Sequence, residues 1–355
     1  MTQDPYDAPV HGQSTPYIAT YTQNEIYNLV QKSFADYMAK YPADAKPLFI
    51  YDPAPAYSGT IHRYTEKDFT TFAQVKPEGV ATKRAKKGIG YHKDVVLKRI
   101  GLEISLTWEA IRFSQWDEVR NIGTQLGRTV PQRINLDMTQ FAITFAQGTS
   151  YTDMSGYTVD TTTGDGLSIA NAAHTLAFSS NTYTNILPGN PQFSKSALIS
   201  AEIIGRNNTV DNYGVPSYKK FTHIFSSGDA EVKYNIAQFL RSITDNTQAN
   251  PEVINPLQNR YQHLILEQLD TDVFGLRDTT KSKWWGIVAA DGRDASMRFP
   301  AFYREWEAPH MKPAPTNDNN AVDFSRDVEL YGARAGYGLA CLNGTGIVYS
   351  FPSNS

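Results

Sequence analysis

Seven histidines and one cysteine are the residues of this 355-residue chain with the most chemistry to offer. His11, His62, His92, His174, His223, His263 and His310 are scattered, and no two stand four apart as a helical zinc site requires. His223 and His263 fall in short apolar runs, where an imidazole is more often a satisfied core group than a ligand. Cys341 sits in the apolar run Gly338-Leu339-Ala340-Cys341-Leu342, with no neighbouring histidine to activate a thiolate. It reads as a small buried strand residue, and a single cysteine excludes an intrachain disulfide. There is no Gly-x-Ser-x-Gly elbow, no Walker phosphate loop and no Gly-x-Gly-x-x-Gly after a strand. A triad built from distant residues stays open, because triads are spatial. The Thr/Ser/Gly/Asn-rich stretch 148–191 offers Asp153, Asp160 and Asp165 as oxygen ligands, but not at the spacing of a calcium loop. It reads as polar surface loops, and no metal, cofactor or catalytic residue is expected.

The remaining chemistry is electrostatic. Lys83, Arg84, Lys86 and Lys87 crowd into five positions. Residues 60–100 carry ten Lys/Arg against four acids, a local +6 that leaves −9 on the rest of a chain of net charge −3. A basic arm on an acidic body suits association between copies of one chain. A solvated loop is one alternative and phosphate neutralisation is another, but no aromatic residue interleaves with the cluster as a single-strand binder would want. Two strands present it. Ile61–Val75 ascends and Tyr91–Leu106 returns, with Ile100, Leu102, Ile104 and Leu106 alternating against Gly101, Glu103 and Ser105.

Other elements frame this hairpin. Residues 1–22 hold three prolines and no hydrophobic period. Asn24 can cap a helix through Ile26, Leu29, Val30, Phe34, Tyr37 and Met38, ended by Pro42. After the hairpin, Trp116, Val119, Ile122, Leu126, Val130, Ile134, Met138, Phe141 and Phe145 keep helical steps, with Ser114 as cap. Pro131 should kink or split that helix, and Gly123 and Gly127 permit close approach of another backbone. Ser194 caps a helix with Leu198, Ile199, Ile203 and Ile204 on one face. Phe221–Phe225 reads as a buried strand. Ser227-Gly228-Asp229 opens a helix with Val232, Ile236, Phe239, Leu240 and Ile243 on one side, followed by the Asn/Pro-rich loop 246–257. Strands His263–Leu266 and Trp284–Ala289 follow. The tail offers a strand over Phe299–Glu307, a polar loop from Pro309 to Asn320, and a long strand from Asp327 that ends in Gly346-Ile347-Val348-Tyr349.

The order helix, strand, helix, Asn-rich loop, strand, Trp-bearing strand over Phe193–Ala290 resembles the axial domain of tailed-bacteriophage major capsid proteins of the Hong Kong 97 type. The arm, hairpin, long helix and tail extend the resemblance over most of the chain. It implies an α+β phage major capsid fold. The implied parts are an N-terminal arm (1–58), an extended β-hairpin loop (59–106), a peripheral domain with a long spine helix (107–192 and 297–355) and an axial domain (193–296). The implied function is self-assembly into the icosahedral head shell around a double-stranded DNA genome. The chain's partners would be its own copies in hexamers and pentamers, portal and scaffold during assembly, a decoration protein, and packaged DNA held non-specifically. Lys83, Arg84, Lys86 and Lys87 become inter-subunit contact residues, and quasi-equivalent bending is expected near Gly59, Gly101 and Pro131. The family's lysine–asparagine crosslink has no assignable partners here. An encapsulin-like compartment shares the implied fold, and an enzyme or lectin is a more distant alternative.

Composition agrees with a folded assembly subunit. Apolar residues are 41% and charged ones 19%, and 21 Tyr with 17 Phe favour interfaces. Net charge −3 argues against a dedicated nucleic-acid binder. Met1–Tyr17 is polar, so no signal peptide is expected, and no apolar run nears the ~20 residues of a membrane span. Folding in the host bacterial cytoplasm and residence in the virion are the expected locations.

Overall fold

The computed structural model describes residues 23–40, 44–54, 59, 61–69, 73, 75–82, 84, 87–107, 116–217, 219–242, 255, 257–291, 297–312 and 328–353. It is an α+β protein whose chain divides into two compact units. One comprises residues 1–42, 99–132 and 308–335, and the other residues 43–98, 133–307 and 336–355.

In the first unit, helix α1 (Gln23–Lys40) buries Val30 and Phe34. It meets the first half of α2 (Trp116–Thr139) at Gly123 and Gly127. A Cβ on Gly123 would stand 2.4 Å from the carbonyl oxygen of Val30, and one on Gly127 2.6 Å from that of Phe34. The two glycines, one helical turn apart, therefore form the seam on which α1 rests. Helix α2 runs unbroken through Pro131, contrary to the expected split. Its departure from α geometry comes later, at the π turn Gln140–Thr144, where the Phe145 N–H donates to the Gln140 carbonyl at 2.9 Å. Ile122, Leu126, Val130, Ile134, Met138 and Phe141 are buried as the periodicity predicts. The expected cap Ser114 lies outside the described residues.

The second unit holds the ribbon of β2 (Ile61–Phe69) and β3 (Lys87–Val96), paired antiparallel with a bulge between Thr65 and Lys67. The returning strand is thus shorter than expected. It breaks at Leu97, and β4 (Lys98–Thr107) joins a different sheet, of order β1-β12-β13-β4. In that sheet β1 (Ile50–Pro53) runs parallel to β12 (Ala301–Lys312), pairing Ile50 with Phe302 through Pro53 with Glu305. Strand β12 continues through Pro309 to Lys312, where a polar loop was expected. Beyond Glu305 strand β1 no longer pairs with it, and such a partly unpaired stretch can carry a proline. Strand β13 (Val328–Cys341) lies between β12 and β4.

The stretch 148–191 is not a set of surface loops. It folds into two small hairpins, β5–β6 (Ser150–Thr152, Thr158–Asp160) and β7–β8 (His174–Leu176, Ser179–Tyr183). It buries Ile169, His174, Tyr183, Asn185 and Leu187.

A second four-stranded sheet has the order β10-β9-β11-β14. Strand β9 (His223–Ser227) runs parallel to β10 (Gln262–Leu266) and antiparallel to β11 (Trp285–Val288). The C-terminal strand β14 (Ile347–Ser350) pairs with β11, so the tail leaves the β13 sheet and completes this one. Helices α3 (Lys195–Asn208) and α4 (Ala230–Arg241) supply Leu198, Ala201, Val232, Ile236 and Leu240 to its core, around Ile224, Trp285 and Ile287. The predicted cap Ser194 forms, and of the predicted helix start Ser227-Gly228-Asp229 it is Asp229 that caps. Ser194 accepts from Ala197 N–H at 3.2 Å, and Asp229 accepts from Glu231 and Val232 N–H. The buried face of α3 is rotated from the predicted one. Ala197, Leu198, Ala201 and Gly205 face in, while Ile199 and Ile203 face out. The small residues permit close packing on the sheet, which apolarity alone does not reveal. Ile243 lies outside the described residues.

Candidate assembly surface

The cationic cluster and the strands that carry it form the site. Pleating sends alternate residues of the ribbon to opposite faces. His62, Tyr64 and Glu66 of β2 and Tyr91, Lys93 and Val95 of β3 turn inward, and each anchor is specific. Tyr64 stacks on Phe302 with ring centroids 4.0 Å apart, and its hydroxyl donates to Asp52 at 2.5 Å. Asp52 also pairs with the buried Arg304. Burial, and then the bond to Asp52, raise the Tyr64 hydroxyl pKa well above its ordinary value, so this anchor stays protonated. The buried Glu66 accepts from Asn212 and Asn343, each at 2.5 Å. Lys93 donates to Asp160 at 2.7 Å and to Thr162 at 2.6 Å. Gly88 and Gly90 let the backbone lie against the rings of Tyr213 and Phe178 and the amide of Asn212, where a Cβ would not fit.

A second anchor follows the ribbon. Lys98 Nζ is 2.7 Å from Asp137 and 3.3 Å from Asp153, and Arg133 reaches Asp153 at 2.7 Å. Arg133 Nε also lies 2.9 Å from Asp137 Oδ1, close enough for charge attraction but off the hydrogen-bond axis. The Tyr337 hydroxyl donates to Asp137 at 2.5 Å. Burial opposes ionisation of Asp153, but the Tyr157 N–H and the two cations outweigh it and hold its carboxyl below the usual range.

Asp153, Asp160 and Asp165, the three carboxylates considered as oxygen ligands, are therefore each committed. Asp153 goes to Lys98 and Arg133, Asp160 to Lys93, and Asp165 to the buried His174 at 2.9 Å. Sequence reasoning missed this pairing. Both sets of charges are visible in the sequence, but nothing local says which pair with which. The local excess of positive charge stands, and the pairing turns part of it inward. Lys93 and Lys98 face the body, and Arg63 pairs across the ribbon with Asp94 at 2.7 Å. Among the described residues, Lys76 and Arg84 are exposed at the tip and Lys67 along the ribbon.

Of the predicted contact residues, Arg84 is exposed at the tip, and Lys87 opens β3 opposite Phe69. Lys83 and Lys86 lie outside the described residues. Lys76 is exposed on the tip as well, and Gly79 turns the chain there with φ +78°. The outer face and tip also carry aliphatic side chains: Ile61 registered opposite Val96, Ile89 opposite Lys67, and Val75 and Val80 beyond them. Val75 is 95% exposed and Ile89 69%. Large aliphatic groups interleaved with cations suit a protein surface. Gly101, considered as a hinge, is in mid-strand of β4, 3.4 Å (to a built Cβ) from the Ala333 carbonyl, and does not lie at the ribbon base.

The candidate chemical groups are placed as follows. Cys341 is fully buried, its thiol pKa raised by burial. His263 Nε2 lies 2.9 Å from Ser226 Oγ, yet that hydroxyl donates to the Ser227 carbonyl at 3.0 Å, so the imidazole is the donor toward it and not its base. Burial, with Lys233 nearby, pushes His263 down to about 4. His223 contacts Thr222 Oγ1 at 2.9 Å.

No protein-family profile and no curated protein matches the sequence. Among solved structures, the chain is similar to one from Gordonia phage Cozz, with 13% identity, 87% of this chain and 85% of that chain covered, and a TM-score of 0.47. It is similar to the capsid of Myoviridae phage XM1, with 9% identity, coverages of 86% and 89%, and a TM-score of 0.47. It is also similar to a virus-like particle from Pyrococcus furiosus, with 10% identity, coverages of 92% and 99%, and a TM-score of 0.44. Likenesses of this size leave function to be argued from the chain's own geometry.

Proposed function

We propose that this chain is a major capsid protein, a shell subunit that assembles with its own copies into an icosahedral head around the double-stranded DNA of a tailed phage. One observation carries the reading. A two-stranded ribbon is anchored by the Lys93–Asp160 ion pair and by buried hydrogen bonds to Glu66, and presents a tip where Lys76, Arg84, Val75 and Val80 are exposed. Ordering such a tip against solvent is costly for a solitary protein and sensible for one that is covered by a neighbour. The order of elements supports the same reading: an N-terminal helix, the ribbon, a long helix, and two sheets built from distant parts of the chain.

In this reading residues 1–58 are an arm and 59–106 the extended loop. Residues 107–192 with 297–355 form the peripheral domain and 193–296 the axial domain, whose sheet β14 completes. Copies associate in hexamers and pentamers. Portal, scaffold, decoration protein and packaged DNA are the further partners, and the shell forms in the host cytoplasm. No step needs a catalytic group. Contacts worth about a few kcal/mol each become a rigid shell when repeated.

Sizing of the purified full-length chain by sedimentation, with negative-stain imaging, tests the reading. Round shells or tubes are expected. A stable monomer at high concentration would overturn it. Nuclease-protected DNA inside particles made during infection separates a genome shell from a cargo compartment.

A further inference from the structure

Residues 342–351 are bound in two places at once. On one side, all four residues of β14 are buried, and Val348 enters the core around Trp285. Strand β14 lies between β11 and the segment 185–187: the Tyr349 N–H donates to the Asn185 carbonyl and the Leu187 N–H to the Tyr349 carbonyl, each at 2.8 Å. The Tyr349 hydroxyl donates to the Ala142 carbonyl at 2.7 Å. Ser350 Oγ donates at 2.7 Å to the Pro191 carbonyl, which also accepts from Trp285 Nε1 at 2.9 Å. On the other side, Asn343 Nδ2 donates to Glu66 of the ribbon at 2.5 Å, while its Oδ1 accepts from the Thr345 N–H at 3.1 Å and from Thr345 Oγ1 at 2.5 Å. Glu66 stands in the bulge between Thr65 and Lys67, where a strand bends. The pair Tyr64–Lys93 anchors the ribbon on the near side of the bulge, and the tip lies on the far side. The bonds to Glu66 therefore bear on the direction in which the ribbon leaves the bulge.

Sequence separation orders these contacts in time. Apart from Leu187 and Val348, the core around Trp285 is drawn from residues 193–287, and β9, β10 and β11 fall within residues 223–288. By contrast, the Tyr349–Ala142 bond spans 207 positions and the Asn343–Glu66 bond 277. Contacts of long separation carry the larger loop-closure entropy and form late. We propose that residues 342–351 are a latch that closes last, and that this one step both completes the sheet β10-β9-β11-β14 and fixes the ribbon beyond its bulge through Asn343 and Glu66. A subunit whose sheet is still open then presents no placed tip, so competence to assemble arrives with the final folding step. That consequence rests on the self-assembly reading, and the latch itself does not.

Exchanging donor and acceptor tests it in the full chain. Asn343→Asp keeps the acceptor for Thr345 but sets a second carboxylate against Glu66. Adding Glu66→Gln restores the bond in reverse: the new amide donates to the new carboxylate, and its carbonyl still accepts from Asn212. Amide exchange read by mass spectrometry should be several-fold faster at residues 66–69 and 87–90 in Asn343→Asp, with β9 unchanged, and particle yield should fall. The double variant should recover both. In pulse-labelled refolding of the unmodified chain, β14 and the ribbon beyond the bulge should gain protection together, after β9 and β10. A ribbon protected before β14, exchange there unchanged in Asn343→Asp, or a double variant no better than the single would overturn the latch and leave assembly standing. Undiminished particle yield despite faster exchange would overturn its role in assembly. Absence of particles from the unmodified chain, with protection still gained together, would remove the assembly reading and leave the latch.

Discussion

Asp137 has 1% of its side chain exposed and is held between Arg133, Lys98 and the Tyr337 hydroxyl. Breaking a buried charge network at one member leaves the others uncompensated. Asp137→Ala should cost about 3–5 kcal/mol in urea unfolding. The double variant Asp137→Leu with Arg133→Met should cost less than the sum of its singles, and strict additivity would show that the pair does not interact. A second residue-scale prediction concerns acid. Burial depresses His263 from its ordinary 6.5 to about 4. The unfolded chain therefore takes up the proton first as pH falls. Stability is full above about pH 6.5 and declines through the window down to about pH 4. Asp153, Asp160 and Asp165 are each held below the usual carboxylate value of 3.8. Their contribution is present above that value and lost below it, so both effects destabilise in acid. Melting temperature against pH should fall in two stages. His263→Gln should weaken the upper stage, to which His223 also contributes, and leave the lower one. An unchanged upper slope would show that His263 is not the group responsible.

At the scale of elements, the Gly123–Gly127 seam sets how α1 lies on α2. Alanine in place of glycine in an exposed helix interior gains about 1 kcal/mol of helix propensity. Here the added methyl meets the backbone carbonyls of Val30 and Phe34, which cannot swing away as a side-chain end would. Overpacking of this kind costs about 1–3 kcal/mol per site. The pair Gly123→Ala, Gly127→Ala should therefore release residues 23–40 to protease and to amide exchange, while the Trp285 core keeps its protection. Equal protection of α1 in the variant would count against the seam. Sequence showed two glycines four apart and an amphipathic helix, but not that one receives the other. That depends on a packing partner more than eighty positions away.

At the scale of the whole molecule, the charge of the tip is the variable to change. Replacing Lys83, Arg84, Lys86 and Lys87 by Glu should leave the monomer folded, because the ribbon's anchors lie at Tyr64, Glu66 and Lys93. Assembly should be crippled, and more so at low salt, where repulsion between like charges is less screened. Undiminished particle yield in light scattering would remove the role given to the tip.

The sequence alone determined the elements whose signals are local. The cap Ser194, the helix start at Ser227-Gly228-Asp229, the alternation of the ribbon, the 3.6-residue period of α2 and the clustered cations all lie within a few residues of what they control. Its resemblance to capsid subunits set the expectation of self-assembly. Only the tertiary structure decided which charges are spent. Lys93 and Lys98 are indistinguishable in sequence from the tip lysines, yet they pair with Asp160, Asp137 and Asp153 from segments dozens of residues away. It likewise turned Leu198 and Ala201 inward and Ile203 outward, since a buried face is chosen by the shape of what it packs against and not by apolarity alone.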